Sequence, residues 1–151
     1  MNTLQRHKVI AVTGGASGIG LAICRRFGSV GFRVAIIDMN TDEASCQASN
    51  LRSLGIEAAS FTCDVGSENQ CVQTINAVID TFGGIDILVN NAGITQRSAF
   101  TETQTSVYRK VMDVNFFGAL YCTKAAIKSL IDRRGVIVVT SSHAGYAPLL
   151  G

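Results

Sequence analysis

Val9-Ile10-Ala11-Val12, then Thr13-Gly14-Gly15-Ala16-Ser17-Gly18-Ile19-Gly20, then Leu21-Ala22-Ile23-Cys24: this stretch decides the fold. Its first four residues are apolar without in/out alternation, as in a strand buried on both faces. The glycine-rich run reads as a turn and the last four residues as the opening of a helix. A strand, a glycine turn and a helix start make a phosphate cradle. The helix N-terminus offers unpaired N–H groups and the positive end of its dipole, and glycines let the backbone approach a pyrophosphate.

Strand and helix alternate outward from this turn. Residues 8–13 are the first strand. The following helix is expected to bury Ile19, Ile23, Phe27 and Val30, which recur at helical spacing, and to end at Gly31. Residues 33–38 form the second strand around Val34-Ala35-Ile36-Ile37. Thr41 is expected to cap the next helix, with Asp42 and Glu43 suited to its dipole, Ala44, Ala48 and Leu51 facing inward and Gly55 as its stop. A third strand runs over 57–63, and Ser67-x-x-Gln70 reads as a capping box. The helix behind it carries Cys71, Ile75, Val78, Ile79 and Phe82 on one face, closed by Gly83-Gly84. Residues 86–90 are a fourth strand. One long helix is expected over 105–132, with Val107, Val111, Val114, Tyr121 and Ala125 on one stripe and Gly135 as its breaker. Residues 136–140 are the fifth strand. Crossovers of this length require parallel strands, which gives an α/β fold with a doubly wound sheet. Right-handed crossovers and a switch point after the first strand predict the order 3-2-1-4-5.

Composition narrows the function. With 47% hydrophobic and 16% charged residues the chain is globular, and 151 residues make one domain, 1–151. Thirteen basic against eleven acidic residues leave +2 without a basic block, so neither nucleic acid nor an anionic membrane is an expected partner. No apolar stretch reaches the length of a membrane span, and residues 1–8 lack a signal core. Five cysteines without a C-x-x-C read as reduced, small apolar residues, and the expected setting is cytoplasmic.

Four more motifs accompany the glycine turn. Asp64-Val65 follows the third strand, Asn90-Asn91-Ala92-Gly93 ends the fourth, Asp113-Val114-Asn115 lies in the long helix, and Ser141-Ser142-His143-Ala144-Gly145 follows the fifth strand. With these five motifs in this order, the whole chain resembles the classical short-chain dehydrogenase/reductase family, a Rossmann-type fold. The resemblance implies that Gly14, Ser17, Gly18, Ile19 and Gly20 hold the cofactor pyrophosphate, with Gly14 for the tight turn, Gly18 for close approach and Gly20 for helix packing. It places Asp64 and Val65 beside the adenine, and Asn91, Ala92 and Gly93 along the adenosine side. It implies that Ser142 hydrogen-bonds the substrate oxygen and that Asn115 holds a water in a proton relay. Two plainer readings stay open: Asp64 as a solvated loop carboxylate, and Asn115 as a structural hydrogen-bonding residue.

Asp38 ends the second strand, eighteen residues after Gly20, where a dinucleotide fold places the carboxylate that binds the adenosine ribose. The same charge repels a 2′-phosphate, by ~1 kcal/mol in water and ~4 kcal/mol at intermediate dielectric for charges about 4 Å apart. Met39, Asn40 and Ser17 supply no cation in compensation. NAD is therefore expected over NADP. The plainer alternative has Asp38 capping the following helix.

The chain departs from the family in one respect. No Tyr-x-x-x-Lys occurs in its 151 residues, and this motif supplies the family's proton donor and the lysine beside it. Tyr146 lies too close to Ser142 and has no lysine four residues on. His143 has no neighbouring carboxylate and no G-x-S-x-G elbow, so it is not expected to act as a base. The apolar end, 147–151, and the uniformly apolar fifth strand read as a domain incomplete at its C-terminus, with an exposed sheet edge. The expected function is the N-terminal portion of an NAD-dependent oxidoreductase acting on a small-molecule alcohol or ketone by hydride transfer. Without the tyrosine and lysine the 151 residues themselves are expected to be inactive. The full-length form is expected to be a homo-oligomer through the helix over 105–132. The alternative is a non-catalytic NAD-binding module or an inactive fragment.

Overall fold

The absence of alternation in the first two strands has a direct structural counterpart. The computed structural model describes residues 7–142, and in it β1 (Val9–Thr13) is buried throughout and β2 (Arg33–Asp38) at four of six residues. With β3 (Ala58–Thr62), β4 (Ile87–Asn90) and β5 (Val136–Val139) they form one parallel sheet in the order β3-β2-β1-β4-β5. Val12 lies opposite Ile36 on one side and Val89 on the other. Successive side chains point to opposite faces, and each face has its own helices. Ile10, Val12, Val34 and Ile36 pack with Cys24 of α1 (Gly18–Gly28) and Ala44, Ala48 and Leu51 of α2 (Thr41–Ser53). Val9, Ala11, Ala35 and Ile37 pack with α3 (Glu68–Phe82) and α5 (Gly118–Arg133). Two covered faces are why both kinds of position are apolar. The sequence features at His143, Tyr146 and 147–151 lie outside the described residues.

Four local expectations are corrected. On α1, Ile19 is exposed and Ile23 and Phe27 half-buried, and Val30, beyond the end of the helix, is exposed, whereas the buried line is Gly20, Cys24 and Gly28. A Cβ at Gly20 would lie 2.1 Å from the Gly14 carbonyl oxygen, and one at Gly28 2.7 Å from Ile56 Cγ2. The helix seats itself along its smallest residues, and the larger ones flank the contact. On α2 the cap is Asn40, whose side chain accepts the Glu43 N–H at 3.1 Å; Thr41 is already helical, with its hydroxyl 2.9 Å from that of Thr62. At α3 only half of the capping box forms. Ser67 Oγ accepts the Gln70 N–H, but Gln70 Oε1 accepts the N–H of Asp64 at 2.9 Å instead of returning to Ser67. This ties the loop after β3 to the helix start.

The fourth correction concerns the long helix. α4 (Thr105–Met112) and α5 are joined by a π-helical turn over Asp113–Phe117, where the Gly118 N–H donates to the Asp113 carbonyl. The wider turn shifts the helical phase. From Val114 the buried line runs through Gly118, Cys122, Ala126 and Leu130, leaving Tyr121 and Ala125 half-buried and Val107 exposed. The helix also ends one residue before the expected breaker, at Arg134 with φ +51°. Gly135 serves close packing, since a Cβ there would lie 2.5 Å from the Asp86 carbonyl oxygen. β5 pairs with β4, and all four of its residues are exposed.

Candidate nucleotide-binding site

The connections from the two central strands, β1 and β4, leave toward opposite sides of the sheet. A crevice opens beyond their C-terminal ends, where open α/β sheets place ligands. A cavity of about 410 Å³ occupies it. Its walls come from the loops after β1 to β4, from the start of α1, from α4 and from Thr140 after β5.

The loop after β1 is held from below. Thr13 Oγ1 accepts the N–H groups of both Asn91 and Ala92 at 3.0 Å. The Asn91 amide donates to the Thr13 and Gly14 carbonyls at 3.1 and 3.2 Å, and its oxygen accepts the Thr140 hydroxyl. Gly14, at φ +62°, is pressed against this corner, so that a Cβ would meet Ala92 Cα at 3.0 Å. Gly18, at φ +51°, is the opposite case: a Cβ there would meet nothing within 4 Å. The first turn of α1 has no side-chain cap from Ser17 and no acidic residue. Its N–H groups lack intrahelical partners and carry the positive end of the dipole. Ile19 lines the cavity and is 63% exposed, whereas Gly20 sits behind the loop against Gly14.

Two carboxylates stand on the walls. Asp38 does not cap α2. Its Oδ2 accepts the Ala16 N–H at 3.1 Å and its Oδ1 the Asn40 N–H at 3.0 Å, which ties the end of β2 to the glycine loop. Asp64 Oδ2 accepts from Lys110 Nζ at 3.0 Å and Oδ1 from the Gly66 N–H at 2.9 Å. Lys110 first and Gly66 second hold its carboxyl below the usual range. Val65 lies beside it in the cavity wall and packs against Gly118.

The crevice thus brings together Gly14, Ser17, Gly18, Ile19, Asp38, Asp64, Val65, Asn91, Ala92 and Gly93. Asn115 sits on the π-turn and reaches the neighbouring corner: its oxygen accepts the Ile94 N–H at 2.8 Å and its amide donates to the Ile94 carbonyl at 2.9 Å. Ser142 is exposed three residues beyond β5 and lies outside the cavity lining. Sequence reasoning missed Thr13, Thr140 and Lys110. Only Thr13 carried a signal, as a lone hydroxyl closing an apolar strand.

The cysteines are unpaired as disulfides, and only Cys46 is exposed. Burial pushes the Cys24 thiol up to about 12. Hydrogen bonding among Cys63, Cys71 and Cys122 pushes up Cys63 and raises Cys71 to about 12. Cys24, Cys63 and Cys71 are protonated fillers of the core at neutral pH. Among the described residues no three His, Cys, Asp or Glu are placed to hold a metal ion, and no helix is long and apolar enough to cross a membrane.

A family model described as short chain dehydrogenase matches residues 8–151. The chain is 32% identical to a bovine protein named dehydrogenase/reductase SDR family member 7B, across 96% of this chain and 47% of that protein. It is 35% identical to 11-beta-hydroxysteroid dehydrogenase-like 2 of Arabidopsis thaliana, across 94% and 47%. It is 34% identical to 2-(S)-hydroxypropyl-CoM dehydrogenase 3 of Xanthobacter autotrophicus, across 96% and 57%. The chain spans about half the length of these curated relatives.

Proposed function

The chain belongs to the short chain dehydrogenase family, and on that premise we propose that it is the NAD-binding part, 1–151, of an oxidoreductase that interconverts a small alcohol and ketone. The uncapped start of α1 beside the open space at Gly18 carries this reading. That corner takes a pyrophosphate without displacing protein atoms, and the helix N-terminus supplies donors and positive potential for it. The Asp38 carboxylate then faces the adenosine ribose. Asp64 and Val65 flank the base, and Asn91, Ala92 and Gly93 form the opposite wall. NAD, when bound, supplies the hydride chemistry.

Ser142, at the C-terminal end of the sheet, is the proposed partner of the substrate oxygen. Both ends of the Asn115 amide are engaged by Ile94, so this side chain anchors the Gly93-Ile94 corner. A relay water would then be held by the main chain of the π-turn. The 151 residues contain no Tyr-x-x-x-Lys, so this chain is proposed to bind nucleotide without turnover. The exposed face formed by Met112, Phe116, Leu120, Ile127 and Ile131 is the proposed surface for self-association of the full-length protein. Free thiols suit a cytoplasmic setting.

Calorimetric titration with NAD and NADP tests the cofactor. The Asp38 charge is expected to favour NAD by about tenfold or more, and Asp38→Asn to narrow that ratio toward unity. Tighter binding of NADP by the unaltered chain would overturn the NAD assignment.

A further inference from the structure

Cys63 is the one cysteine that lines the crevice, and it has no part in holding a nucleotide there. It follows β3 directly, ahead of Asp64, and is 2% exposed. Cys71 stands in the first turn of α3, fully buried, and its Sγ donates to the Val65 carbonyl at 3.3 Å. That bond turns the Cys71 sulfur back under the loop leaving β3, within hydrogen-bonding reach of the Cys63 sulfur. Cys122 of α5 is the other thiol beside Cys71, and it does not line the crevice. Cys24 packs on the opposite face of the sheet, and Cys46 is exposed on α2.

Two thiols so placed need only a two-electron oxidant to join, and the crevice provides a way in. Hydrogen peroxide is close to water in size, so it reaches the Cys63 sulfur from the crevice, whereas Cys71 and Cys122 lie behind that wall. We propose that Cys63 and Cys71 form a peroxide-sensitive dithiol, with Cys63 the sulfur oxidised from the crevice and Cys71 the sulfur that closes the bridge. In the first step the Cys63 sulfur attacks one peroxide oxygen. The O–O bond breaks, the departing hydroxide takes the thiol proton as water, and Cys63 becomes a sulfenic acid. The Cys71 sulfur then attacks the Cys63 sulfur, the S–O bond breaks, and hydroxide leaves with the Cys71 proton as a second water. Two thiols lose two electrons in all, and one peroxide is reduced to two waters. Both thiols are held protonated at rest, so the first step is slow and takes sustained peroxide. The bridge spans the loop that carries Asp64 and Val65, and it removes the Cys71 donor from the Val65 carbonyl. A nucleotide in the crevice covers Cys63 and slows the closure, which rests on the nucleotide site proposed above.

The test uses the 151-residue chain carrying Cys46→Ser, which removes the exposed thiol and any pairing between molecules through it. After hydrogen peroxide at neutral pH, the remaining thiols are alkylated in denaturant and the chain is cut with trypsin. No lysine or arginine lies between Arg52 and Arg97, so Cys63 and Cys71 share the peptide 53–97, while Cys122 falls in 111–124. The expected product is 53–97 unalkylated and two hydrogens lighter, restored by dithiothreitol, with Cys24 and Cys122 still alkylated. Adding Cys71→Ser should leave Cys63 as a sulfenic acid that dimedone traps. NAD at about ten times its Kd should slow the bridge by about tenfold, in step with the fraction of crevices left open. A link between 53–97 and 111–124 would overturn the inference. So would Cys63 and Cys71 both recovered alkylated under peroxide that oxidises them in the unfolded chain. A bridge that forms equally fast with NAD bound would overturn entry through the crevice. If calorimetry shows that NAD does not bind, the nucleotide site falls, and the mapped bridge still decides the dithiol.

Discussion

The two walls of the crevice are built differently. On the β1–β2 side every residue of β1 is buried, and α1 is seated through glycines so closely that an added methyl at Gly20 would strike the Gly14 carbonyl. On the other side no residue from Asn91 to Asp113 is buried. Beyond the bonds of Asn91 and Ala92 to Thr13 and Gly14, that segment is held by few ties: the two Asn115–Ile94 hydrogen bonds, the Lys110–Asp64 ion pair, and the Phe100 and Tyr108 rings with centroids 5.8 Å apart. Packing specifies the first wall, and a few hydrogen bonds position the second. Where little apolar surface is buried, local opening takes little free energy, so the second wall is the one expected to open first.

The comparison breaks hardest at Arg133, which serves the packed side. Its guanidinium meets Asp86 Oδ2 at 2.9 Å, with side chains 8% and 7% exposed, and the same oxygen accepts the N–H of Val9 at 2.8 Å. Arg133→Met removes the guanidinium from the buried Asp86 carboxylate. The expected loss is about 3–5 kcal/mol in a urea titration. A loss below about 1 kcal/mol would mean that water or another group takes the place of the guanidinium. One step smaller, two isoleucines on strands of the same sheet measure the contrast directly. Ile36 is fully buried and Ile137 is 39% exposed. Ile36→Ala should cost about 2–5 kcal/mol, and Ile137→Ala about 1 kcal/mol or less. Equal losses would show that β5 is covered in solution.

The same division governs what could be read from the amino acids. Five strands, their order and the glycine turn between β1 and α1 were legible, because burial on both faces writes itself as uninterrupted apolar runs such as Val34-Ala35-Ile36-Ile37. The helical faces were less legible. A period of 3.6 finds the largest side chains, yet α1 packs through Gly20, Cys24 and Gly28 because close approach rewards the smallest. The π-turn left no mark in composition, and it displaced the buried line of α5 by one residue. Asn40 and Thr41 are adjacent residues both able to cap, and only geometry separates them. The ties of the second wall were the least legible. Lys110 and Asp64, or Arg133 and Asp86, stand more than forty residues apart, and a charge in a polar stretch reads as solvated until the fold brings its partner.

The smallest effect sharpens the second wall. Asn115 spends both ends of its amide on the main chain of Ile94, in a place exposed to water. Each such bond is worth about 0.5–1.5 kcal/mol net, and water replaces part of it when the amide is removed. Asn115→Ala should therefore lower global stability by only about 1 kcal/mol. It should act locally instead, by freeing the Ile94 N–H, so that amide hydrogen exchange at Ile94 accelerates by about tenfold or more while Val12 and Ile36 keep protection set by global unfolding. If the asparagine were a buttress of the core, Ile94 and Ile36 would lose protection together. If Ile94 kept its protection, the corner would be held by the Thr13 contacts to Asn91 and Ala92 alone. Acceleration confined to Ile94 and its neighbours is the pattern expected of a wall hung on single hydrogen bonds.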